Sequence, residues 1–170
     1  FFQYNICHMK NYYYVIESPI GPLHLAATNK VLTAIHHSFE RLKNWNKNDV
    51  IFKNEKNIII EKTILQLTEY FDGKRKKFNI PLELSGTNFQ LKAWEALKKI
   101  PYAKTVSYSD QAKLIENPKA SRAIGNANNA NPISIIIPCH RVIGKSGKLV
   151  GYGGGLDRKD YLLELEQKND

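Results

Sequence analysis

Apolar and aromatic residues cluster in short stretches around Pro/Gly punctuation in the first quarter of the chain and recur at helical spacing further on. Tyr12 to Ile16, then Ser18-Pro19-Ile20-Gly21-Pro22, then Leu23 to Ala27 reads as strand, tight turn, strand. Val31 to His37 predicts a third strand after the Asn29-Lys30 turn, and the polar stretch Asn44 to Asn57 predicts a loop. Ile58 to Phe71 carries Ile60, Ile64, Leu67, Tyr70 and Phe71 at helical spacing and stops at Asp72-Gly73. Phe78 to Leu84 predicts one more strand. The first half is therefore a small α/β unit whose strands are mainly antiparallel.

The pattern changes near Ser85-Gly86. From Thr87, the positions Phe89, Leu91, Trp94, Leu97 and Ile100 outline an amphipathic helix that runs to Pro101. Ser107 or Ser109 caps a second helix through Ile115, which Asn117-Pro118 ends. A third starts near Lys119 and carries Ala120, Ala123, Ile124 and Ala127, so the pair reads as a helix-turn-helix. Ile133 to Ile137 is an apolar run that predicts a buried strand, closed by Pro138. Gly144 to Gly155 is a glycine-rich loop, and Leu156 to Glu166 closes the chain as a helix. These breaks predict two domains: residues 1–85 as an N-terminal α/β supporting domain, and 86–170 as a mostly helical domain.

The 170 residues suffice for one good core or two small ones. No apolar run approaches the roughly 20 residues of a membrane span, and residues 1–10 lack the layout of a signal peptide. The only methionine is Met9, so residues 1–8 are expected either to precede the natural start or to be a fragment's trimmed end. The two cysteines, Cys7 and Cys139, fit a reducing compartment with a free Cys139 better than a disulfide framework. The histidines His8, His24, His36, His37 and His140 show no zinc spacing; Cys7 with His8, His24 or His36 is the one metal arrangement to weigh.

A net charge of +9 points toward a polyanion, and its distribution says more. From Asn117 to Leu156 there is no Asp or Glu, while Lys119, Arg122, Arg141, Lys145 and Lys148 fall inside. An acid-free basic stretch is the electrostatic footprint expected where phosphates come close. Lys74-Arg75-Lys76-Lys77, after Asp72-Gly73, reads instead as a solvated turn.

Inside that stretch, Pro138-Cys139-His140-Arg141 brings a thiol, an imidazole and a guanidinium in succession. Neighbouring imidazole or cationic groups lower a thiol's pKa and raise its thiolate fraction. The plain alternative is a buried structural cysteine beside a surface His-Arg pair. The third helix of the half is unusual for what it lacks: Ser121, Ala123, Gly125, Ala127 and Ala130 are small, and Arg122 is the only long cation in its body. A major-groove reader displays several Arg, Asn or Gln side chains. Small side chains permit close approach to a backbone or a minor groove.

These residues carry a resemblance. Asn131-Pro132 through Ile135-Ile136-Ile137-Pro138-Cys139-His140-Arg141-Val142-Ile143 is similar to the active-site signature of the O6-alkylguanine-DNA alkyltransferases. Phe89-Gln90 with Trp94, Pro101-Tyr102, Val106-Ser107-Tyr108, Asn117 to Gly125, Gly151 to Leu156 and Leu162-Leu163 with Glu166 resemble the family in register over residues 87 to 166. In the first half only Ser18 to Leu23 resembles it. The implied fold is a small antiparallel-sheet, ribonuclease H-like α/β domain followed by a winged-helix-like domain with a helix-turn-helix.

The resemblance implies DNA repair without a cofactor or metal: irreversible, single-turnover transfer of the alkyl group from O6 of guanine in double-stranded DNA to a cysteine. Cys139 is then the nucleophile. His140, through a water and with Glu166, takes its proton, and Asn131 orders the turn and hydrogen-bonds that network. Tyr108 donates a proton to the departing guanine, while Cys139, Val142 and Gly153 offer backbone contacts to the base. Gly153 stands where some members carry serine. The base is flipped out of the stack and Arg122 takes its place from the minor groove. Ser121, Ala123 and Gly125 lie against DNA, and Tyr152 belongs to the loop beside the base. A cytoplasmic monomer (nuclear if eukaryotic) with no membrane partner is expected.

Other readings compete. A lesion-binding or regulatory relative without the cysteine repairs nothing, and Cys139 argues against it. A cysteine hydrolase meets the difficulty that neighbours on a strand point to opposite faces, so Cys139 and His140 make an awkward direct dyad. A sequence-specific transcription factor needs base-reading side chains where this helix has alanine, serine and glycine. Glu166, near the end of an amphipathic helix, reads on spacing alone as solvent-facing.

Overall fold

The structure is a computed structural model and describes residues 11–45 and 52–170. Cys7, His8 and Met9 lie outside the described residues. Strands β1 (Asn11–Ile16), β2 (Leu23–Ala27) and β3 (Leu32–His36) form an antiparallel meander. The first turn closes because Gly21 takes φ +86°, its N–H donating to Ser18 O at 2.9 Å and its carbonyl accepting from Ser18 Oγ at 2.6 Å. Helix α1 (Phe39–Trp45) follows, and strand β4 (Phe52–Asn54) adds to β1 in parallel, for the order β3-β2-β1-β4. The polar stretch expected to be a loop therefore carries the end of a helix and a short edge strand.

Alternation along β2 and β3 decides what covers each face. Leu23, Leu25 and Ile35 join the main core with Ile60 and Leu67 of α2 (Ile58–Phe71), while Ala26 and Ala34 pack beneath Leu42 of α1. Helix α2 spans the predicted residues, with Asn57 as its cap accepting from Ile60 N–H at 2.9 Å. The strand expected over Phe78 to Leu84 is reduced to one bridge, Leu32 with Leu82.

His36 and His37, at the end of β3, are both buried. Burial, with Arg41 and His24 nearby, lowers His36 to about 4; burial, with Arg158 foremost among the nearby charges, lowers His37 to about 3. Below pH 6.5 the unfolded chain takes up protons that the folded one refuses, so stability falls as the pH drops from 6.5 toward 4. The expected loss at pH 5 is about 2 kcal/mol per histidine. Urea midpoints at pH 7.5 and 5.0 measure it, and His37→Gln should show a smaller acid loss.

The second half is built from α3 (Asn88–Lys98), strand β5 (Val106–Ser107), α4 (Tyr108–Leu114), α5 (Ser121–Asn129), strand β6 (Val142–Ile143) and α6 (Leu156–Lys168). Thr87 and Ser107 each form a capping box, which settles the choice between Ser107 and Ser109. Trp94 is fully buried and its Nε1–H donates to Ala127 O at 2.8 Å, fastening α3 to α5. Gln111 of α4 and Asn128 of α5 exchange two amide hydrogen bonds, at 3.0 and 2.7 Å, and set the helix-turn-helix angle from inside.

Residues 133–137 do not form a strand. Ile137 N–H donates to Ile133 O at 3.0 Å and Ile136 N–H to Ser134 O at 2.9 Å, and Ile135 is at φ +74°. An apolar run reads the same whether it is a strand or a tight turn buried on all sides, and here the turn buries Ile133, Ile135 and Ile137. A β-branched residue in that region is strained. The sheet of the first half compensates by gripping the start of the turn: Ile35 N–H donates to Pro132 O at 2.8 Å, and Ser134 N–H to Ile35 O at 3.2 Å.

Candidate active site

After the turn, Cys139 to Arg141 form one turn of 3-10 helix, and β6 pairs in parallel with β5. The pairing matters because β5 runs directly into Tyr108, so it sets the cysteine beside the start of α4. The helical turn also removes the strand geometry on which opposite faces for Cys139 and His140 were expected.

Asn131 spans this turn. Its Nδ2 donates to Ile137 O at 2.7 Å and to Cys139 Sγ at 3.2 Å, and its Oδ1 accepts from Ile133 N–H at 3.0 Å. One buried amide thus holds both arms of the turn and touches the thiol. Behind the thiol, His140 Nε2 lies 2.9 Å from Glu166 Oε1, while His140 Nδ1 makes no hydrogen bond to a described residue. Glu166 is fully buried, contrary to a solvent-facing reading. It also accepts from Arg141 Nε and Nη2, both at 2.9 Å, from Tyr70 Oη at 2.8 Å and from Ala103 N–H at 3.0 Å.

Burial alone would raise the Glu166 carboxyl, yet the hydrogen bonds and charges of His140 and Arg141 hold it far below the usual carboxylate range. Burial lowers His140 in spite of Glu166. Burial also raises the Cys139 thiol, and the Asn131 amide and the Lys159 ammonium offset that only in part. The expectation of a thiol lowered by its neighbours is therefore overturned: Arg141 turns its guanidinium onto Glu166 rather than toward sulfur, and His140 is neutral. At rest the site therefore holds a thiol and a neutral imidazole.

Cys139, only 6% exposed, opens into a cavity of about 450 Å³, within the range of small-molecule sites. One wall is α5 with Ser121, Arg122 and Gly125; the other is Val150, Gly151 and Tyr152, and Tyr108 stands between them. Arg122 is exposed at the mouth. Tyr108 Oη donates toward Val150 O at 2.9 Å and Gly151 O at 3.1 Å; burial first, and the nearby thiol, raise its pKa, so it stays a donor. Ala123 lies on the exposed side of α5, outside the lining. Val142 is buried, with its N–H on Cys139 O and its carbonyl on Lys159 Nζ at 2.6 Å. Gly153 is off the lining too, its carbonyl held by Arg41 Nη1 at 3.0 Å.

Lys159 and Tyr70 are additions that sequence reading missed. Lys159 is fully buried, binds the carbonyls of Val142, Val150 and Gly151, and burial lowers it to about 8. Its signal was periodic: Lys159, Leu162 and Glu166 lie three and four apart, on one face of α6. Among the described residues no group of three or more His, Cys, Asp or Glu side chains is arranged to hold a metal, and Cys139 is a free thiol.

Fold and site together define a class: a helix-turn-helix protein with a buried cysteine in a cavity against its second helix and a buried His-Glu pair beginning at the next residue. Residues 11–84 match the ribonuclease-like domain, and residues 88–168 the DNA binding domain, of 6-O-methylguanine DNA methyltransferase. The chain belongs to that family. It is 47% identical over 160 residues to a methylated-DNA–protein-cysteine methyltransferase of Methanosarcina acetivorans, covering 91% of this chain and 97% of the relative. It is 46% identical over 160 residues to that of Mycobacterium tuberculosis, covering 92% of each. The crystal structure of the M. tuberculosis protein in complex with DNA superposes with a TM-score of 0.83 at 46% identity, over 93% of this chain and 94% of that one.

Proposed function

We propose that this chain repairs double-stranded DNA by moving the alkyl group of an O6-alkylguanine to Cys139, once per molecule and without regeneration. The observation that carries this is the Cys139 thiol at the floor of the α5 cavity, with the His140–Glu166 pair behind it. In the step proposed, His140 Nδ1 takes the thiol proton through a water, since Nε2 is engaged by Glu166. Sulfur then attacks the alkyl carbon, forming the S–C bond as the C–O6 bond breaks. The departing guanine takes a proton from Tyr108, which turns from the loop carbonyls to the base.

The lesion must leave the duplex to reach the sulfur. Arg122, at the mouth of the cavity, is the side chain placed to fill the gap, and the small residues Ser121, Ala123 and Gly125 let α5 approach closely. Gly153 and Val142 support the loop and turn around the base, and Tyr152 borders it. The division into a supporting unit, residues 1–85, and a DNA-binding, alkyl-accepting unit, 86–170, goes with this reading. So does a reducing compartment such as the cytoplasm, because the thiol must stay free; among the described residues no helix is long and apolar enough to cross a membrane.

Intact-protein mass spectrometry with excess duplex carrying one O6-methylguanine tests the proposal. The expected result is a gain of one CH₂, mapped by peptide to Cys139 and absent with undamaged DNA. DNA bound at unchanged mass would reject it in favour of a lesion-binding or regulatory protein.

A further inference from the structure

The cavity has two walls that belong to different parts of the chain, α5 and the glycine-rich loop, and something must set their separation. One guanidinium from the N-terminal half touches both. Arg41 of α1 donates from Nη1 to Gly153 O at 3.0 Å and from Nη2 to the carbonyl of Asn129, the last residue of α5. The final carbonyls of a helix have no partner within it and form its negative end. A two-armed cation is suited to hold such a carbonyl and a second one together, which a point charge is not.

A second contact reinforces the first. His37 Nε2 lies 3.2 Å from Tyr152 Oη, with the ring centroids 5.5 Å apart. A third comes from within the loop's own helix: Arg158 donates to Ile20 O at 2.6 Å and to Gly154 O at 2.9 Å. The glycines fit these partners. A Cβ at Gly153 would lie 2.8 Å from Arg41 Nη2, and one at Gly154 would lie 2.5 Å from His37 Cδ2. The absence of side chains at 153 and 154 is therefore matched to Arg41 and His37, beyond any need for loop flexibility.

We infer that Arg41, seconded by His37, is a positioning residue for alkyl transfer: it clasps the loop of Tyr152 and Gly153 to the end of α5 and so sets the width of the cavity in which the base meets Cys139. The N-terminal half then contributes to the rate as well as to stability. The inference rests on the proposed repair reaction for its kinetic consequence. It also has a consequence that does not depend on that reaction, because a released loop opens whether or not alkyl groups are transferred.

Two measurements on the full chain test it. First, amide hydrogen exchange of residues 151–155 should speed up about tenfold in Arg41→Ala, with α2 and α3 protected as before. Unchanged exchange would overturn the clasp whatever the chemistry. Second, single-turnover transfer from O6-methylguanine duplex separates binding from the step that follows. Arg41→Ala should slow the rate constant at saturating DNA about tenfold, since misplacement on the scale of an ångström costs up to about 10²-fold. Its affinity for undamaged duplex should change less than twofold. Arg41→Lys, which holds one carbonyl at a time, should recover only part of the rate.

Gly153→Ser supplies an independent check. Its Cβ displaces the Arg41 head, so it should slow the reaction as Arg41→Ala does. The double variant should then be no slower than either single one. Multiplying effects, or a wild-type rate in Arg41→Ala at saturation, would overturn the positioning role. If the wild-type chain itself takes up no methyl group, the repair reading fails, and the exchange experiment still decides whether the clasp exists.

Discussion

Cys139→Ser is expected to leave the chain folded and able to bind duplex DNA while abolishing uptake of the alkyl group. Sulfur at this position does two things that oxygen cannot. It gives up its proton to a neutral imidazole at an accessible cost, and as a thiolate it attacks a saturated carbon well. A serine hydroxyl in the same buried place, against the same Asn131 amide, stays protonated and weakly nucleophilic. Removing an attacking nucleophile has cost about 10⁶-fold in another covalent enzyme, which is complete on the scale of a single-turnover assay. Serine is nearly the same size as cysteine and retains a partner for Asn131, so the unfolding midpoint should move little. The measurement is methyl uptake from labelled DNA beside a gel-shift titration. Residual methylation at another residue would place the acceptor elsewhere.

The second large effect concerns Glu166→Gln, which should damage stability and reaction together. The carboxylate receives five hydrogen bonds in a region closed to water, two of them from Arg141 and one from His140. Glutamine keeps the shape but removes the charge, and its NH₂ must face at least one existing donor. Arg141, which also donates to Ile100 O at 2.7 Å, is then a buried cation without its counter-charge. Breaking a buried pair from one side costs about 3–5 kcal/mol, read as a drop in the urea midpoint. His140 loses the group that orients it and that stabilises its protonated form. At a temperature low enough to keep the variant folded, methyl transfer should slow at neutral pH and recover partly as rising pH deprotonates Cys139 directly. A variant of wild-type stability with a wild-type pH profile would contradict the network as described.

Much of the helical framework was legible because its signals are local. Apolar spacing marked α2, α3 and α6, Thr87 marked the start of α3, and the choice of Ser107 or Ser109 that of α4. Pro138-Cys139-His140-Arg141 stood out for the same reason, four chemically unlike residues in a row. The failures share a cause as well. Ile133 to Ile137 is apolar but for Ser134, and hydrophobicity reports burial without reporting the path of the backbone. Phe78 to Leu84 has strand-like residues, but its neighbour β3 accepts it through a single bridge. The short β4 lies in a polar stretch and pairs with β1, a partner distant in the chain.

By itself the sequence determined the family, the two-part plan and the helix-turn-helix with its small-residue second helix, and it singled out the Pro138-Cys139-His140-Arg141 motif. Each follows from neighbours in the chain: spacing, caps, breakers, or an uninterrupted motif. The tertiary structure alone decided that Glu166 is buried and charged, that Arg141 serves it rather than the thiol, and that Lys159 and Arg41 hold the cavity's loop. It also decided the direction of the cysteine's pKa. Desolvation and pairing depend on which groups meet across the fold, here residues as far apart as Arg41 and Gly153, and adjacency along the chain carries no record of such meetings.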